Sequence, residues 1–350
     1  MTSDIPPDLA RYSRQILFHG LGLEGQKKLR NARILICGVG ALGTHLAETL
    51  VRAGVGFVRL VDRDFVEITN LQRQVLFDEE DLRSQLPKAV AAANKLARIN
   101  SAVRIEPVVA DVSSENILGL AQNVDLILDG TDNFETRFLL NDLALELRLP
   151  WVYAGCIGSH GQTMPILPGQ SACLRCLIES PPPPGSTETC DTAGVLGPAI
   201  NVIASWQSVS AIKILTGNLT PEDCRLTLID VWQGSLRHIQ TAHLPEQTNC
   251  PACRRGERLY LHAPRQAGST TLCGRNAVQL VPHAPLSISL TELASRLRPT
   301  GHVDQNPFLI KFQPASFAQV FTIFPDGRAI ISGTDDPTLA RTLYNRFIGS

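Results

Sequence analysis

The sequence predicts an α/β protein on three observations. Short apolar runs alternate with helical patterns between residues 33 and 147. A G-x-G-x-x-G turn joins the first such run to the first such helix. Two C-x-x-C pairs stand far apart in the chain and offer a staple for it. Alternating strand and helix signals imply right-handed crossovers and a mostly parallel sheet with helices on both faces.

Length and composition set the limits. The 350 residues suggest about two domains. A hydrophobic share of 44% supplies a buried core and excludes a disordered chain. Lys plus Arg is 32 and Asp plus Glu is 33, a net charge of −1. That balance argues against a dedicated nucleic-acid binder, which needs a basic surface for phosphates. No apolar run is long enough for a membrane span. Residues 1–11 carry an early acid and prolines, unlike a secretory signal, so a cytoplasmic location is expected. In a reducing compartment the nine cysteines read as metal ligands or reactive thiols.

Each element follows in order. Residues 1–31 form an arm and an amphipathic helix carrying Leu21, Leu23 and Leu29. Residues 33–37 read as a strand buried on both faces. A helix over 42–53 ends at Gly54, a C-cap residue. A strand over 57–61 closes at Asp62. A helix over 87–99 starts on a proline, which the first turn tolerates. Strands over 103–109 and 124–128 and a helix over 135–147 complete the alternation. Beyond Pro150, strands are expected over 151–154, 162–166 and 225–229. Four consecutive prolines make 180–185 a loop, which 186–197 continue. A long helix runs over 198–215. A second α/β unit begins near 257, with strands over 308–312 and 320–324. An Asp326-Gly327 turn leads into 329–331, and a closing helix covers 337–348. The predicted domains are 1–255 and 256–350.

The motifs carry the chemistry. Gly38, Gly40 and Gly43, with Ala41 between them, sit between strand and helix. There the backbone turns tightly and the helix N-terminus faces an anion, a Rossmann-like arrangement. Asp62, at the end of the next strand, is placed for ribose hydroxyls. Alone, these residues would suit a nicotinamide dehydrogenase. Asp64, Asn70, Arg73, Gln74, Lys88, Asp132 and Asn133 break that reading. Two cations and a further carboxylate after strand ends suit an enzyme that splits a triphosphate. Arg73 and Lys88 would neutralise the reacting phosphates, and Asp132 would hold magnesium.

Cys173 with Cys176 and Cys250 with Cys253 could close a tetrahedral four-sulfur zinc site. Four sulfurs leave no open position, so such a zinc is structural. A redox dithiol is the rival reading for either pair alone. Cys190 precedes a helix and reads either as a nucleophilic or sulfur-handling thiol or as a small hydrophobe.

Taken together, these residues resemble the adenylyltransferases that activate ubiquitin-like sulfur carriers in molybdopterin and thiamine synthesis, relatives of the ubiquitin-activating enzymes. The resemblance covers residues 8–255. It rests on Arg11-Tyr12-Ser13-Arg14-Gln15, the glycine loop, Asp62 and Asp64, the run from Asn70 to Gln74, Lys88, Thr131-Asp132-Asn133, both cysteine pairs and Cys190. Ala41 stands where the family commonly has glycine. The resemblance implies ATP, magnesium and structural zinc. Gly40 and its neighbours would cradle phosphates, Asp62 the ribose, and Arg73 and Lys88 the phosphates, supported by Asn70. Arg14 would reach the ATP site of a partner subunit, implying a homodimer. Cys190 would lie on the crossover loop, linked to carrier or sulfur in some relatives. The implied partners are a small carrier ending in Gly-Gly, whose carboxylate is adenylated, and a sulfur donor that displaces AMP. A tRNA-modifying dehydratase of the same superfamily, a ubiquitin-like conjugation activator and a zinc-stapled scaffold are the alternatives. Residues 257–350, with Cys273, resemble an extension of some bacterial members and lack a rhodanese pattern.

Overall fold

The structure, a computed structural model, describes residues 5–182, 190–263, 268–272, 276–282 and 286–349. The chain divides into two compact units, Met1–Ala263 and Pro264–Ser350. The division lies a few residues beyond the expected 255/256. Tyr260 N donates to Asp142 Oδ2 at 2.9 Å, and Leu261 is buried in the core of the first unit.

The first unit holds one eight-stranded sheet. Its strands are β1 (Arg33–Cys37), β2 (Phe57–Val61), β3 (Arg104–Val108), β4 (Leu126–Asp129), β5 (Trp151–Ile157), β6 (His160–Ile166), β7 (Arg225–Asp230) and β8 (Ser235–Gln240). The spatial order is β3-β2-β1-β4-β5-β6-β7-β8. The first five are parallel and the remaining pairings antiparallel. From β1 the chain steps outward to β2 and β3, then returns to the other side of β1 as β4. That reversal leaves a crevice beyond the C-terminal ends of β1 and β4, where such sheets take ligands.

Five helices cover the sheet: α1 (Gly22–Asn31), α2 (Ala41–Ala53), α3 (Lys88–Ile99), α4 (Phe134–Leu147) and α5 (Gly197–Thr216). Strand alternation sorts them. Ile34 and Ile36 point into one core with Leu46 and Leu50 of α2, Ala92 of α3 and Ile203 of α5. Leu35 and Cys37 point the other way, onto Phe138 and Leu140 of α4 and the buried cysteines. Gly54 ends α2 at φ +86°, a left-handed cap that favours glycine. Pro87 is the N-cap of α3 and not its first residue, because its ψ of 140° or so is extended (143°). Cys190–Ala193 forms a single helical turn where loop was expected. Strand β8, which no sequence signal marked, is exposed along its length, so its residues show no buried face to read.

The second unit holds a six-stranded antiparallel sheet and two helices. Its strands are β9 (Gly268–Leu272), β10 (Ala277–Val281), β11 (Gly301–Gln305), β12 (Ile310–Pro314), β13 (Val320–Ile323) and β14 (Ala329–Ser332). The helices are α6 (Leu290–Leu297) and α7 (Pro337–Phe347). The turn at Gly327, φ +83°, joins β13 to β14 in the expected hairpin. Leu293, Phe312, Phe321, Ile331 and Leu343 share its core. Strands β9, β10 and β11 and helix α6 were not expected from the sequence. Cys273 lies outside the described residues. No helix among the described residues is long and apolar enough to cross a membrane.

Candidate active site and metal centre

The glycine loop leaves β1 at the crevice. Gly38 N donates to Val61 O at 2.8 Å, which fastens the loop to β2. Gly38 has φ +85°, and a Cβ there would lie 2.6 Å from the Gly130 carbonyl oxygen. A Cβ on Gly43 would overlap the Gly38 carbonyl oxygen. Glycine is therefore required at both positions for α2 to start this close to β1. Gly40 is the N-cap of α2 and supplies no side-chain cap. The first N–H groups of α2 are left for an anion. Ala41, the first helical residue, carries its methyl without distorting the turn.

Asp62 braces the loop. Its Oδ2 accepts from Val39 N at 2.6 Å and its Oδ1 from Asp64 N at 2.7 Å. Burial pushes its carboxyl up, and Lys88 opposes that rise. Lys88 begins α3, is buried, and places Nζ 3.5 Å from Asp64 Oδ2. A cation at a helix N-terminus opposes the helix dipole, so Asp64 offsets a real cost.

The Asn70–Gln74 segment lies against the same loop. Buried Asn70 accepts from Glu67 N at 3.1 Å and so closes the turn Ile68–Asn70. Half-buried Arg73 donates from Nη1 to Thr69 O at 2.8 Å. Gln74 Nε2 lies 3.8 Å from where a Gly40 Cβ would be, and its buried Oε1 has no hydrogen-bond partner among the described residues. A buried, unpartnered carboxamide oxygen beside a phosphate-type loop marks a place that takes a ligand or water.

Beyond β4, Asp132 and Asn133 are both exposed. Asn133 Oδ1 accepts from Thr136 N at 2.8 Å and caps α4, which gives this side chain a structural task. One exposed carboxylate suits magnesium, which keeps most of its waters. Cys190 opens the turn Cys190–Ala193. The segment after it bridges to the β5–β6 turn: Gly158 N donates to Gly194 O at 2.9 Å, and Leu196 N to Gly158 O at 2.9 Å. A Cβ on Gly197 would sit 3.5 Å from Gln72 O, so this segment runs beside Asn70–Gln74.

Arg14 is elsewhere. It is exposed on the turn Ser13–Ile16. Its neighbours pack at the opposite end of the strands: Gln15 Nε2 donates to Ala53 O at 2.9 Å, and Tyr12 Oη accepts from Asn100 Nδ2 at 2.8 Å. Those contacts precede β2 and β3, whereas the glycine loop follows β1. Within one chain, Arg14 does not join the other candidate residues.

The four cysteines meet on the α4 face of the sheet. All four Sγ atoms lie within 4.8 Å of one another. Cys173–Cys176 is 3.8 Å, Cys173–Cys250 3.6 Å and Cys176–Cys253 3.5 Å. A tetrahedron with Zn–S near 2.3 Å has edges of about 3.8 Å, whereas a disulfide bond needs about 2.05 Å. The cluster fits zinc and not disulfides. Hydrogen bonding among the four thiols pulls Cys250 and Cys253 below their usual range and pushes Cys173 and Cys176 above it, so the four share protons as one set. Helix α4 holds both halves of the cluster. Asn141 Oδ1 accepts from Leu174 N at 2.8 Å, and Asp142 Oδ2 accepts from Tyr260 N at 2.9 Å. Asn141 and Asp142 were not anticipated from sequence, nor were Asp129, Arg137 and Gln207 beneath the Asp132 turn. Their only sequence signal is a polar residue among apolar neighbours, on a helix for Asn141, Asp142, Arg137 and Gln207 and at a strand end for Asp129.

Residues 12–252 match the ThiF family. The chain belongs to the ThiF family. It is 43% identical over 342 residues to the sulfur carrier protein ThiS adenylyltransferase of Bacillus subtilis, covering 97% of this chain and 99% of that one. It is 39% identical over 251 residues to the sulfur carrier protein adenylyltransferase of Thermus thermophilus, covering 70% of this chain and 91% of that one. The crystal structure of E. coli MccB with ATP superposes at a TM-score of 0.61 and 23% identity, over 71% of this chain and 76% of that one, and shares its fold. This ThiF-family chain is an ATP-dependent adenylyltransferase.

Proposed function

We propose that this ThiF-family enzyme adenylates the C-terminal Gly-Gly carboxylate of a small ubiquitin-like sulfur carrier, in thiamine or molybdopterin synthesis. The observation that carries the reading is the glycine loop with Gln74 beside Gly40, Gly130 and Thr131 (just before Asp132) against Gly38, and Lys88 on Asp64 next to the Asp62 that braces the loop. Full-length likeness to a sulfur carrier protein ThiS adenylyltransferase supports the choice of substrate.

In this reading the ATP phosphates lie on the loop and the N-terminus of α2. Arg73 and Lys88 neutralise charge that builds on the phosphates, and Asp132 holds magnesium. Asp62 and Asp64 shape the ribose side. A carboxylate oxygen of the carrier attacks the α-phosphorus, the bond to the bridging oxygen of the β-phosphate breaks, and pyrophosphate leaves. The nucleophile is already ionised, so positioning and charge stabilisation suffice and no general base is needed. Cys190 lies on the segment that flanks this crevice, where it would meet the activated carrier. A second copy of the chain would bring Arg14 to the crevice, so the reading includes a homodimer. The four-cysteine cluster holds a structural zinc and takes no part in the chemistry.

The test is ATP–pyrophosphate exchange with the full chain, magnesium and a purified Gly-Gly carrier. Exchange is expected with the carrier and not with a carrier lacking its last glycine. Exchange indifferent to the carrier would overturn the reading. An R14A protein mixed with an R73A protein should regain part of the activity if Arg14 acts across a dimer.

A further inference from the structure

The turn that presents Asp132 is held from below by groups that never reach the crevice. Asp129 ends β4 and is fully buried. Its Oδ1 accepts from Thr131 N at 2.9 Å and from Thr131 Oγ1 at 2.7 Å. Arg137, on the first turn of α4 and 7% exposed, donates from Nη2 to Thr131 O at 2.8 Å. Its Nε lies 3.4 Å from Asp129 Oδ2. Gln207 Nε2, from α5 on the other face of the sheet, donates to Asp129 O at 2.9 Å. Thr131 is therefore held at both its peptide N–H and its carbonyl, immediately before Asp132.

A buried ion pair is weak evidence for stability, because desolvation of both ions offsets their attraction. An apolar pair of similar volume would fill this space as well. A guanidinium does what apolar groups cannot: it bonds the Thr131 carbonyl through Nη2 while its charge faces the Asp129 carboxylate, whose Oδ2 takes no hydrogen bond among the described residues. The space for the guanidinium is shaped to it. A Cβ on Gly155 would lie 3.3 Å from Arg137 Nη2, and the Phe134 and Tyr153 rings flank the guanidinium at 5.4 and 5.7 Å.

We propose that Arg137, acting with Asp129, is a positioning residue that aims the Asp132 carboxylate at the metal of the bound nucleotide. The inference rests on the reading of Asp132 as the magnesium ligand. Arg137 is buried beneath the turn and its polar contacts are to Thr131 and Asp129. It acts on Asp132 through the Thr131 peptide group it holds and through its own charge, which faces that carboxylate, and a displacement of about 1 Å at a reacting centre can cost about a hundredfold in rate.

The experiment measures carrier-dependent pyrophosphate exchange by the full chain as a function of magnesium at saturating ATP. R137Q is expected to raise the half-saturating magnesium about tenfold and to recover part of its lost rate at high magnesium. R137K, which keeps the charge but not the guanidinium, should fall between R137Q and wild type. In a D132A background, R137Q should add no further shift, since the two act as one unit. Should R137Q fail to fold, G155A crowds the guanidinium from its open side and should move the magnesium dependence the same way by about twofold. Unchanged magnesium dependence in R137Q, R137K or G155A, with D132A strongly shifted, would overturn the positioning role alone. Unchanged magnesium dependence in D132A would overturn both it and the magnesium reading. A lowered melting temperature with wild-type magnesium response would reduce Arg137 to a structural pair.

Discussion

The nucleotide crevice and the four-cysteine cluster flank one sheet, yet they hold their polar groups in opposite ways. In the cluster, Cys173, Cys176 and Cys250 are buried, and the sulfurs already stand near tetrahedral edge lengths. In the crevice, Asp132 is exposed, Arg73 is half-buried and tethered by one backbone carbonyl, and Lys88 is parked on Asp64. One site has the sulfur geometry that could hold a resident ion. The other is assembled on backbone geometry, with its charges left to meet a ligand that comes and goes. Damage to the first should therefore appear as lost stability, and damage to the second as lost rate.

The largest expected effect tests the first half of that contrast. C250S breaks the sulfur tetrahedron where the distant tail is fastened. Loss of a structural metal belongs to the few changes that cost about 4 kcal/mol or more. The protein should lose its stoichiometric zinc by elemental analysis and melt well below wild type. Wild-type melting behaviour and unchanged zinc content would mean that the cluster is not a staple.

R73A tests the other half. Removing a charge that is worth most in the transition state costs about 10²–10³-fold in turnover, or about 2.7–4 kcal/mol. Pyrophosphate exchange should fall by that factor while the melting temperature stays close to wild type. A large drop in melting temperature with little loss of exchange would erase the distinction between the two sites.

The same contrast explains what was legible in the sequence. The glycine loop and the C-x-x-C pairs are local patterns, and their spacing announces the chemistry. The alternation of runs such as 33–37 and 57–61 with helices likewise announced the parallel sheet. What the sequence hid is support from afar. Asp129 reads as the end of an apolar run. Arg137, Asn141 and Asp142 read as the solvated side of a helix, but α4 is buried nearly all round. Nothing local says that Asn141 will meet Leu174, or that Arg137 will meet Thr131 and Asp129. In the second unit β12, β13 and β14 were legible and β11 was not: none of its residues is buried, so it shows no alternating apolar face.

A smaller effect separates backbone geometry from charge within the crevice. G43A adds no charge, but its methyl must displace the Gly38 carbonyl. Overpacking of this kind costs about 1–3 kcal/mol. It should weaken ATP binding and lower the melting temperature together, unlike R73A. G119A, at a position with open space for a Cβ, should change neither by more than about 0.5 kcal/mol. Equal effects of the two substitutions would deny the loop its geometric role.

The smallest effect concerns a buried thiol that is not one of the four clustered cysteines. Cys224 is buried, is not among the four clustered cysteines, and donates to Thr220 O at 3.7 Å. Burial pushes the Cys224 thiol up to about 11 from 9.0. The folded protein then keeps a proton that the unfolded chain releases. Stability linked to this group is complete below pH 9 and is lost as pH rises toward 11, by up to about 1.4 kcal/mol per pH unit. C224A should remove that slope in urea titrations run between these pH values, after a small pH-independent loss from the vacated volume. An unchanged slope in C224A would place the alkaline loss elsewhere, and the cysteine cluster, whose C250S variant can be titrated the same way, is the next thiol set to examine.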